Sequence, residues 1–392
     1  MKIGFFGSFY PRIDRLSTTS IGLAYLFGNV SYVEEITVFG PLMSRIPPNF
    51  PAKVNLNSIW EYDDILSIFK TLKTMLLDRK HFDLFFFNLI LTSFGRRGLS
   101  NALGLLVPVL LSFLTRKRVI VYLHHIVETQ NLGELGYGEK KLSAAIAMLI
   151  ERLVFVTTRV IVPLPSQQSK ISSFIRSAPR QLVFPGLEGI WAYNNYLRSN
   201  ISSRVRGFSG IRILMFGAIG PQKDIARILN ILGNHNCDLK SFHLTVAGSI
   251  NSNFPQYERK FEEMLTKFNN SNLTYIKNPR EEDIPELFIN ADVLLLPYKA
   301  AGGYSAVMNV AKLYCIRVLC YANADLQLFS DLIDIDARFV SNSMIDDIVQ
   351  ELKAFVWEPR VGTNIESVME KNVQMVNQLF GTKEYCPNQG VM

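Results

Sequence analysis

The sequence predicts an α/β chain made of two doubly wound parallel-sheet domains. Three observations predict it. Short hydrophobic runs alternate with helical patterns along the 392 residues. Most of these runs are continuously apolar rather than alternating, as strands covered on both faces are. The series also restarts midway, where Ile211-Arg212-Ile213-Leu214-Met215-Phe216-Gly217 repeats the character of Ile3-Gly4-Phe5-Phe6-Gly7. Strand–helix alternation of this kind builds parallel sheets with crossover helices.

Taken in order, strands are expected at 2–7, 35–40, 83–88, 118–123 and 159–163, then at 211–217, 243–248, 272–276, 292–297, 317–321 and 337–340. Helical patterns between them cover 20–29, 65–77, 142–157, 258–268 and 345–356. A polar stretch, 194–210, holds several Ser, Arg and Asn and little apolar periodicity. This places a first domain at 1–185, a linker at 186–207 and a second domain at 208–355. The remainder, 356–392, carries one more helical pattern, which could pack back on the first domain. In open parallel sheets, ligands sit beyond the carboxyl ends of the strands, at helix N-termini. Two such domains are expected to face each other across a shared cleft.

Composition bounds the partners. Hydrophobic residues are 48% of the chain and charged residues 19%, which excludes intrinsic disorder. Lys and Arg number 41 against 34 Asp and Glu, a formal net charge of +7, which suits an anionic partner such as a nucleotide, a phosphate or a lipid surface. The basic residues are scattered, with short clusters at Arg96-Arg97 and Arg116-Lys117-Arg118, so no nucleic-acid footprint is expected. The four cysteines, Cys237, Cys315, Cys320 and Cys386, form no CxxC pair and no zinc spacing. They read as reduced thiols of a cytoplasmic protein, three of them buried. Met1 to Gly7 reads as the first strand rather than a signal peptide. Residues 98–115 are uncharged and flanked by basic residues. The run is shorter than the ~20 apolar residues of a spanning helix and contains Ser100, Asn101, Pro108 and Ser112. It is expected to be a buried helix, with a surface-docked helix as the alternative.

Four segments could carry chemistry. The run 291–298 is a buried strand, followed by a loop with Gly302 and Gly303 and a helix opening near Tyr304 and Ser305. Glycines let backbone approach a ligand, and free amides at a helix start favour phosphate. The plain alternative is Ser305 capping its own helix. In 214–224 a strand ends at Gly217 and a loop leads to Lys223, whose ammonium could neutralise a diphosphate leaving group. Neither segment is a Walker A loop, and no GxGxxG with a distant acid follows any strand. That excludes a P-loop NTPase and a dinucleotide oxidoreductase. His124 and His125 end a first-domain strand, and adjacent residues of an extended chain point opposite ways, so one of the two faces a site. The first loop offers Gly7 and Arg12, the latter to meet a phosphate. Asp334-Ile335-Asp336 reads as loop chemistry, and Asp283-Ile284-Pro285-Glu286 as a capping box.

Together these pieces resemble the group 1 (family 4) glycosyltransferases of GT-B fold, with Rossmann-like domains. The resemblance is clearest from Ile211 to Tyr321. The family's strand–Gly–loop–Lys element is matched by Gly217 and Lys223, its "ADVLLLPS" strand by Ala291 to Tyr298, and its Gly-aromatic-Gly loop by Gly303-Tyr304-Ser305. Its small-residue helix and "PV" strand are matched by Ala311 through Val318, its first-domain histidine by His124 and its hinge start by Pro185-Gly186. The resemblance implies transfer of a hexosyl-type sugar, with retention, from a nucleotide-sugar donor to a glycan or lipid-linked acceptor. No cofactor or metal is required. His124 and Lys223 would be catalytic. Gly217, Lys223, Gly303, Tyr304, Ser305 and Asn309 would bind donor, and Gly7 and Arg12 would line the acceptor side. The basic flanks of 98–115 imply peripheral contact with the inner face of the membrane. The family carries acids at the positions of Gly302 and Val310 and an arginine at Ala218. A non-catalytic GT-B subunit or sugar-nucleotide binding protein is therefore the alternative.

Overall fold

A computed structural model describes residues 1–10, 15–90, 93–95, 98–115, 117–127, 141–175, 182–183, 210–234, 242–251, 253–268, 272–280, 283–299, 304–341, 345–354 and 365–380. They fall into two compact units. The first draws on Met1–Ile126, Ala145–Phe184 and Thr363–Met392, and the second on Val127–Ala144 and Pro185–Gly362.

The first unit is a seven-stranded, all-parallel sheet. Its strands are β1 (Lys2–Phe6), β2 (Glu35–Pro41), β3 (Val54–Trp60), β4 (Leu84–Leu89), β5 (Arg118–Leu123), β6 (Arg159–Val162) and β7 (Leu182–Val183), in the order β3-β2-β1-β4-β5-β6-β7. The helices are α1 (Arg15–Gly28), α2 (Ile65–Leu77), α3 (Gly98–Thr115), α4 (Lys141–Thr157), α5 (Pro165–Phe174) and, from the end of the chain, α12 (Ile365–Phe380). Central β4 is buried at every position, as its Leu-Phe-Phe-Phe-Asn-Leu sequence requires. Edge strand β3, absent from the sequence reading, is half exposed. Its Val-Asn-Leu-Asn-Ser-Ile-Trp run is diluted with polar residues because only one face meets the core. Phe6 stacks on Trp60, Phe87 and Phe94 at centroid separations of 5.3, 5.4 and 5.3 Å. Each aromatic contact contributes about 0.5–1.5 kcal/mol beyond area burial.

Asn101 and Ser112 of the 98–115 run have structural duties. Asn101 accepts from Phe94 N at 2.9 Å and donates to Gly95 O at 2.9 Å, and Ser112 Oγ donates to Thr157 O at 2.7 Å. Among the described residues no helix is long and apolar enough to cross a membrane. Helix α12 is held at its C-terminus, where Arg118 Nη1 donates to Phe380 O at 2.5 Å and Arg159 Nη1 to Leu379 O at 2.7 Å. Cations there satisfy orphan carbonyls and the helix dipole together. Tyr32 Oη donates to Asn377 Oδ1 at 2.8 Å, and Phe380 packs edge-on against Phe27.

The second unit is a six-stranded parallel sheet, in the order β10-β9-β8-β11-β12-β13: β8 (Ile211–Phe216), β9 (Phe242–Gly248), β10 (Leu273–Lys277), β11 (Val293–Leu296), β12 (Arg317–Tyr321) and β13 (Ala337–Val340). Its helices are α6 (Ile225–Asn234), α7 (Tyr257–Phe268), α8 (Ile284–Ile289), α9 (Ala306–Leu313), α10 (Ala324–Ile333) and α11 (Ile345–Ala354). Two local expectations change. Asp283 does not cap α8; its carboxylate is taken by the backbone N, Nε and Nη2 of Arg280 at 2.9, 3.1 and 2.9 Å. An arginine three residues upstream offers a better match than a helix amide. Of the cysteines, Cys320 is buried and Cys315 half-buried, while Cys237 and Cys386 lie outside the described residues.

Gly104 of α3 faces Phe94, and a Cβ there would meet three ring carbons at 2.2–2.4 Å. Gly104→Ala should cost about 1–3 kcal/mol by overpacking. Denaturant unfolding followed by tryptophan fluorescence measures it.

Candidate functional site

In the second sheet, chain order reverses between β8 and β11. The loops leaving the carboxyl ends of those two strands are where the topology places a ligand. They are the loops that carry Lys223 and the start of α9.

After β8 the chain turns at Gly217, whose φ is +100°. A Cβ at Gly217 would lie 3.2 Å from Lys223 Nζ and 3.9 Å from Val307 Cγ2. Lys223 therefore folds back over the end of its own strand, where its ammonium donates to Phe216 O. It also lies 5.8 Å from the centroid of the Tyr298 ring, within cation–π range. Lys223 is only 6% exposed. Burial pulls its pKa down to about 7, because a low-dielectric setting disfavours the charged form.

Asp224 is the next residue, and its left-handed backbone (φ +43°) turns its carboxylate away to other partners. Lys299 Nζ is 2.6 Å from Asp224 Oδ1, Tyr321 Oη donates to Oδ2 at 3.3 Å, and Arg227 lies at 4.0 Å. Lys299 N also donates to Gln222 O at 3.0 Å. Two bonds thus tie the β8 loop to the β11 loop. The β9 loop supports the same turn: Gly248 has φ +157°, and a Cβ there would sit 2.0 Å from Gly217 O.

Helix α9 opens at Ser305, which has N-cap backbone angles but no side-chain capping bond. Its hydroxyl faces Tyr298 Oη at 3.4 Å, so the plain capping role is not observed. Tyr304 is buried against Phe329, with ring centroids 4.8 Å apart; what it can offer a ligand is backbone. Asn309 and Val310 are both buried on α9. Gly302 and Gly303 lie outside the described residues. Asp334 forms the left-handed C-cap of α10, and Asp336 pairs with Arg317 at 3.0 Å, so this acid pair is structural.

In the first unit, Gly7 and His124 come together through residues that sequence reasoning missed. His124 is fully buried, with Nε2 2.7 Å from Asn88 Oδ1. Asn88 Nδ2 donates to Ser20 Oγ at 2.8 Å. A Cβ on Gly7 would strike that same Ser20 Oγ at 2.5 Å. This polar chain runs along the carboxyl ends of β1, β4 and β5, at the first sheet's own reversal point between β1 and β4. Nε2 of His124 is thus held in an internal hydrogen bond. Arg12 lies outside the described residues. Among those described, no group of three or more His, Cys, Asp or Glu could hold a metal ion. A groove of about 650 Å³ lined by Arg212, His243, Thr245, Asp283 and Glu286 lies elsewhere, towards the amino ends of β8 and β9.

No protein-family model matches the sequence. No curated protein matches it either. Solved structures do. HepE from Anabaena in complex with UDP and glucose superposes with a TM-score of 0.64 at 13% identity, over 97% of this chain and 98% of that one. Sucrose-phosphate synthase from Thermosynechococcus elongatus gives 0.65 at 14% identity, over 97% and 100%. The UDP-forming α,α-trehalose-phosphate synthase from Burkholderia xenovorans gives 0.66 at 10% identity, over 97% and 98%. The fold is that of the GT-B glycosyltransferases, with two Rossmann-like parallel-sheet domains.

Gly248→Ala should push the Gly217 turn out of place. The expected result is a loss of about 1–3 kcal/mol in denaturant unfolding.

Proposed function

We propose that the chain is a glycosyltransferase that moves a hexosyl-type sugar from a nucleotide-sugar donor to a glycan or lipid-linked acceptor, with retention and without a required metal. The acceptor and the inner-face, cytoplasmic location belong to the same proposal, as does peripheral membrane contact through 98–115. The observation that carries the reading is the convergence of the Lys223 ammonium, the Gly217 turn and the start of α9 at one strand reversal. The likeness in fold to proteins solved with UDP and UDP-glucose supports a nucleotide-sugar donor.

On this reading the donor diphosphate lies between Lys223 and the first amides of α9. As the bond from the sugar's anomeric carbon to the phosphate oxygen breaks, negative charge grows on the diphosphate. Preorganised donors then act in the transition state more than in the ground state. The acceptor oxygen bonds to the anomeric carbon on the face the diphosphate leaves, and its proton passes to the departing phosphate oxygen. No protein base is required. Lys299 and Asp224 act by fixing the two loops. Asn309 and Ser305 are the donor-side groups in place of the acids that the family carries at Gly302 and Val310. Gly7, Arg12 and His124 belong to the acceptor side, His124 by holding Asn88.

A second reading has one observation in its favour, the exchange of both acids. It makes the chain a sugar-nucleotide binding subunit that does not turn over. Incubation with UDP-, GDP- and ADP-sugars separates the two. Saturable binding with neither transfer nor hydrolysis selects the second reading. An inverted product anomer would rule out the retaining mechanism.

Lys223→Met keeps the buried volume and removes the charge. It should lower transfer by about 10²–10³-fold while leaving the thermal midpoint within a few degrees of wild type; unchanged turnover would remove the residue from the mechanism. The low pKa adds a signature. Lys223 is charged below about pH 7 and increasingly neutral above it, and a bound diphosphate favours the charged form. Affinity for UDP-glucose, whose diphosphate does not titrate near neutrality, should therefore fall as pH rises through 7 to 9, with proton uptake on binding. Calorimetry in buffers of different ionisation enthalpy reads the uptake. Lys223→Met should flatten the pH dependence.

A further inference from the structure

The first unit carries an exposed apolar face on two adjacent helices. On α4, Ile146, Leu149, Leu153 and Val156 are 44, 62, 40 and 57% exposed. Spacings of three, four and three residues put them on one stripe of the helix. The opposite side of α4, with Ile150, Val154 and Phe155, is in the core. A surface helix ordinarily turns a charged or polar stripe outward; this one is apolar on both sides. The C-terminal turns of α3 and α4 are joined by the bond from Ser112 Oγ to Thr157 O. On α3, Leu110, Phe113 and Leu114 add further exposed apolar surface, 68% for Phe113 and 60% for Leu114. Apolar patches of this extent mark interaction sites.

Charge decides what the face meets. Helix α3 has no charged residue, and the one acid of α4, Glu151, is buried. The cations sit at the margin. Exposed Arg152 flanks the stripe between Leu149 and Leu153 on α4, and its guanidinium lies 5.2 Å from the Phe174 ring centroid, with Lys170 over the same ring at 5.0 Å. Lys117 lies just beyond the end of α3, while the neighbouring Arg118 gives its guanidinium to Phe380 O. A second copy of the chain would bring the same cations against these. A surface with apolar depth and anionic phosphates complements both features.

We propose that the α3–α4 face docks the chain on an anionic lipid bilayer, with the leucine, isoleucine, valine and phenylalanine side chains at the acyl boundary and Arg152 and Lys117 among the headgroup phosphates. This deepens the membrane contact assigned above to 98–115: α4 supplies the longer stripe. It rests on the glycosyltransferase reading only for why a membrane matters.

The test uses the full chain and sedimentation with vesicles of phosphatidylcholine alone or mixed with phosphatidylglycerol. The chain should pellet with the anionic vesicles, about tenfold more weakly with the neutral ones, and less as salt rises. Leu149→Glu with Val156→Glu, both at exposed positions, should reduce anionic binding by about tenfold or more. Arg152→Glu with Lys117→Glu should remove the preference for phosphatidylglycerol. Thermal midpoint and UDP-glucose binding should be unchanged in both pairs. The proposal is overturned if the wild type stays in the supernatant, if it binds both vesicles alike, or if the Leu149 and Val156 variant binds as well as wild type. It is overturned equally if light scattering shows a dimer that this variant converts to monomer. A chain that pellets but binds none of the UDP-, GDP- and ADP-sugars keeps this inference and loses the donor reading; the reverse result does the opposite.

Discussion

Lys223 brings its ammonium into a pocket of strand-end carbonyl, glycine backbone and aromatic ring, out of nearly all contact with water. Removing an ion from water costs several kcal/mol unless a counter-charge offsets it. Among the described residues no carboxylate lies within ion-pair distance of it. The nearest in sequence, Asp224, is turned by its left-handed backbone towards Lys299, Arg227 and Tyr321. The second unit thus contains one lysine whose charged form is disfavoured as it stands and would be favoured by an anion. A salt-bridged lysine would have an ordinary or raised pKa and would gain little from a phosphate. The lowered pKa and the diverted aspartate are two aspects of one arrangement.

The surrounding backbone follows from that constraint. For the ammonium to reach Phe216 O, the chain must leave β8 through a turn with no side chain, hence Gly217. For that turn to keep its place, its carbonyl must come close to the end of β9, hence Gly248. The β11 loop is then fixed against the β8 loop through Lys299, which uses both its backbone amide and its ammonium. Three loops from three adjacent strands are locked at the end of the sheet where α9 begins. Rigid positioning of this sort is what a leaving-group site needs, since a misplacement of about 1 Å can cost about 10²-fold in rate.

The fold was legible because its strands are buried on both faces and so write themselves as apolar runs. Where that condition fails, so does the reading. Val54–Trp60 carries no such mark, because an edge strand half in water contains asparagine and serine. At the site, Gly217, Lys223 and Ser305 could be found because a strand end, a glycine and a helix start leave local marks. Gly248, Asn88 and Ser20 could not, because each acts on a residue distant in the chain: Gly248 on Gly217, Ser20 on Asn88 and Asn88 on His124. A histidine at a strand end looks the same in sequence whether its ring faces solvent or an asparagine. The capping-box reading at Asp283 failed for a nearer reason, since Arg280 three residues upstream competes for the same carboxylate.

On the proposed reading, the loss of two acids changes what the site can discriminate more than what it can stabilise. Carboxylates beside a diphosphate lower the local potential and accept hydrogen bonds from ribose and sugar hydroxyls. With Gly302 and buried Val310 in those positions, Lys223 and the α9 dipole act on the diphosphate without opposing charge, so the term that grows with leaving-group charge is kept. What falls is charge-assisted recognition of hydroxyls, roughly twice as strong as the neutral kind. The groups left near the start of α9 are neutral: the Ser305 hydroxyl, which caps nothing, the Tyr298 hydroxyl beside it and the Asn309 amide. Neutral groups can both donate and accept, so they distinguish sugar epimers less sharply than an acceptor-only carboxylate does. Selectivity would then rest on shape and on the acceptor side, while the chemistry of departure stays with one lysine and one helix.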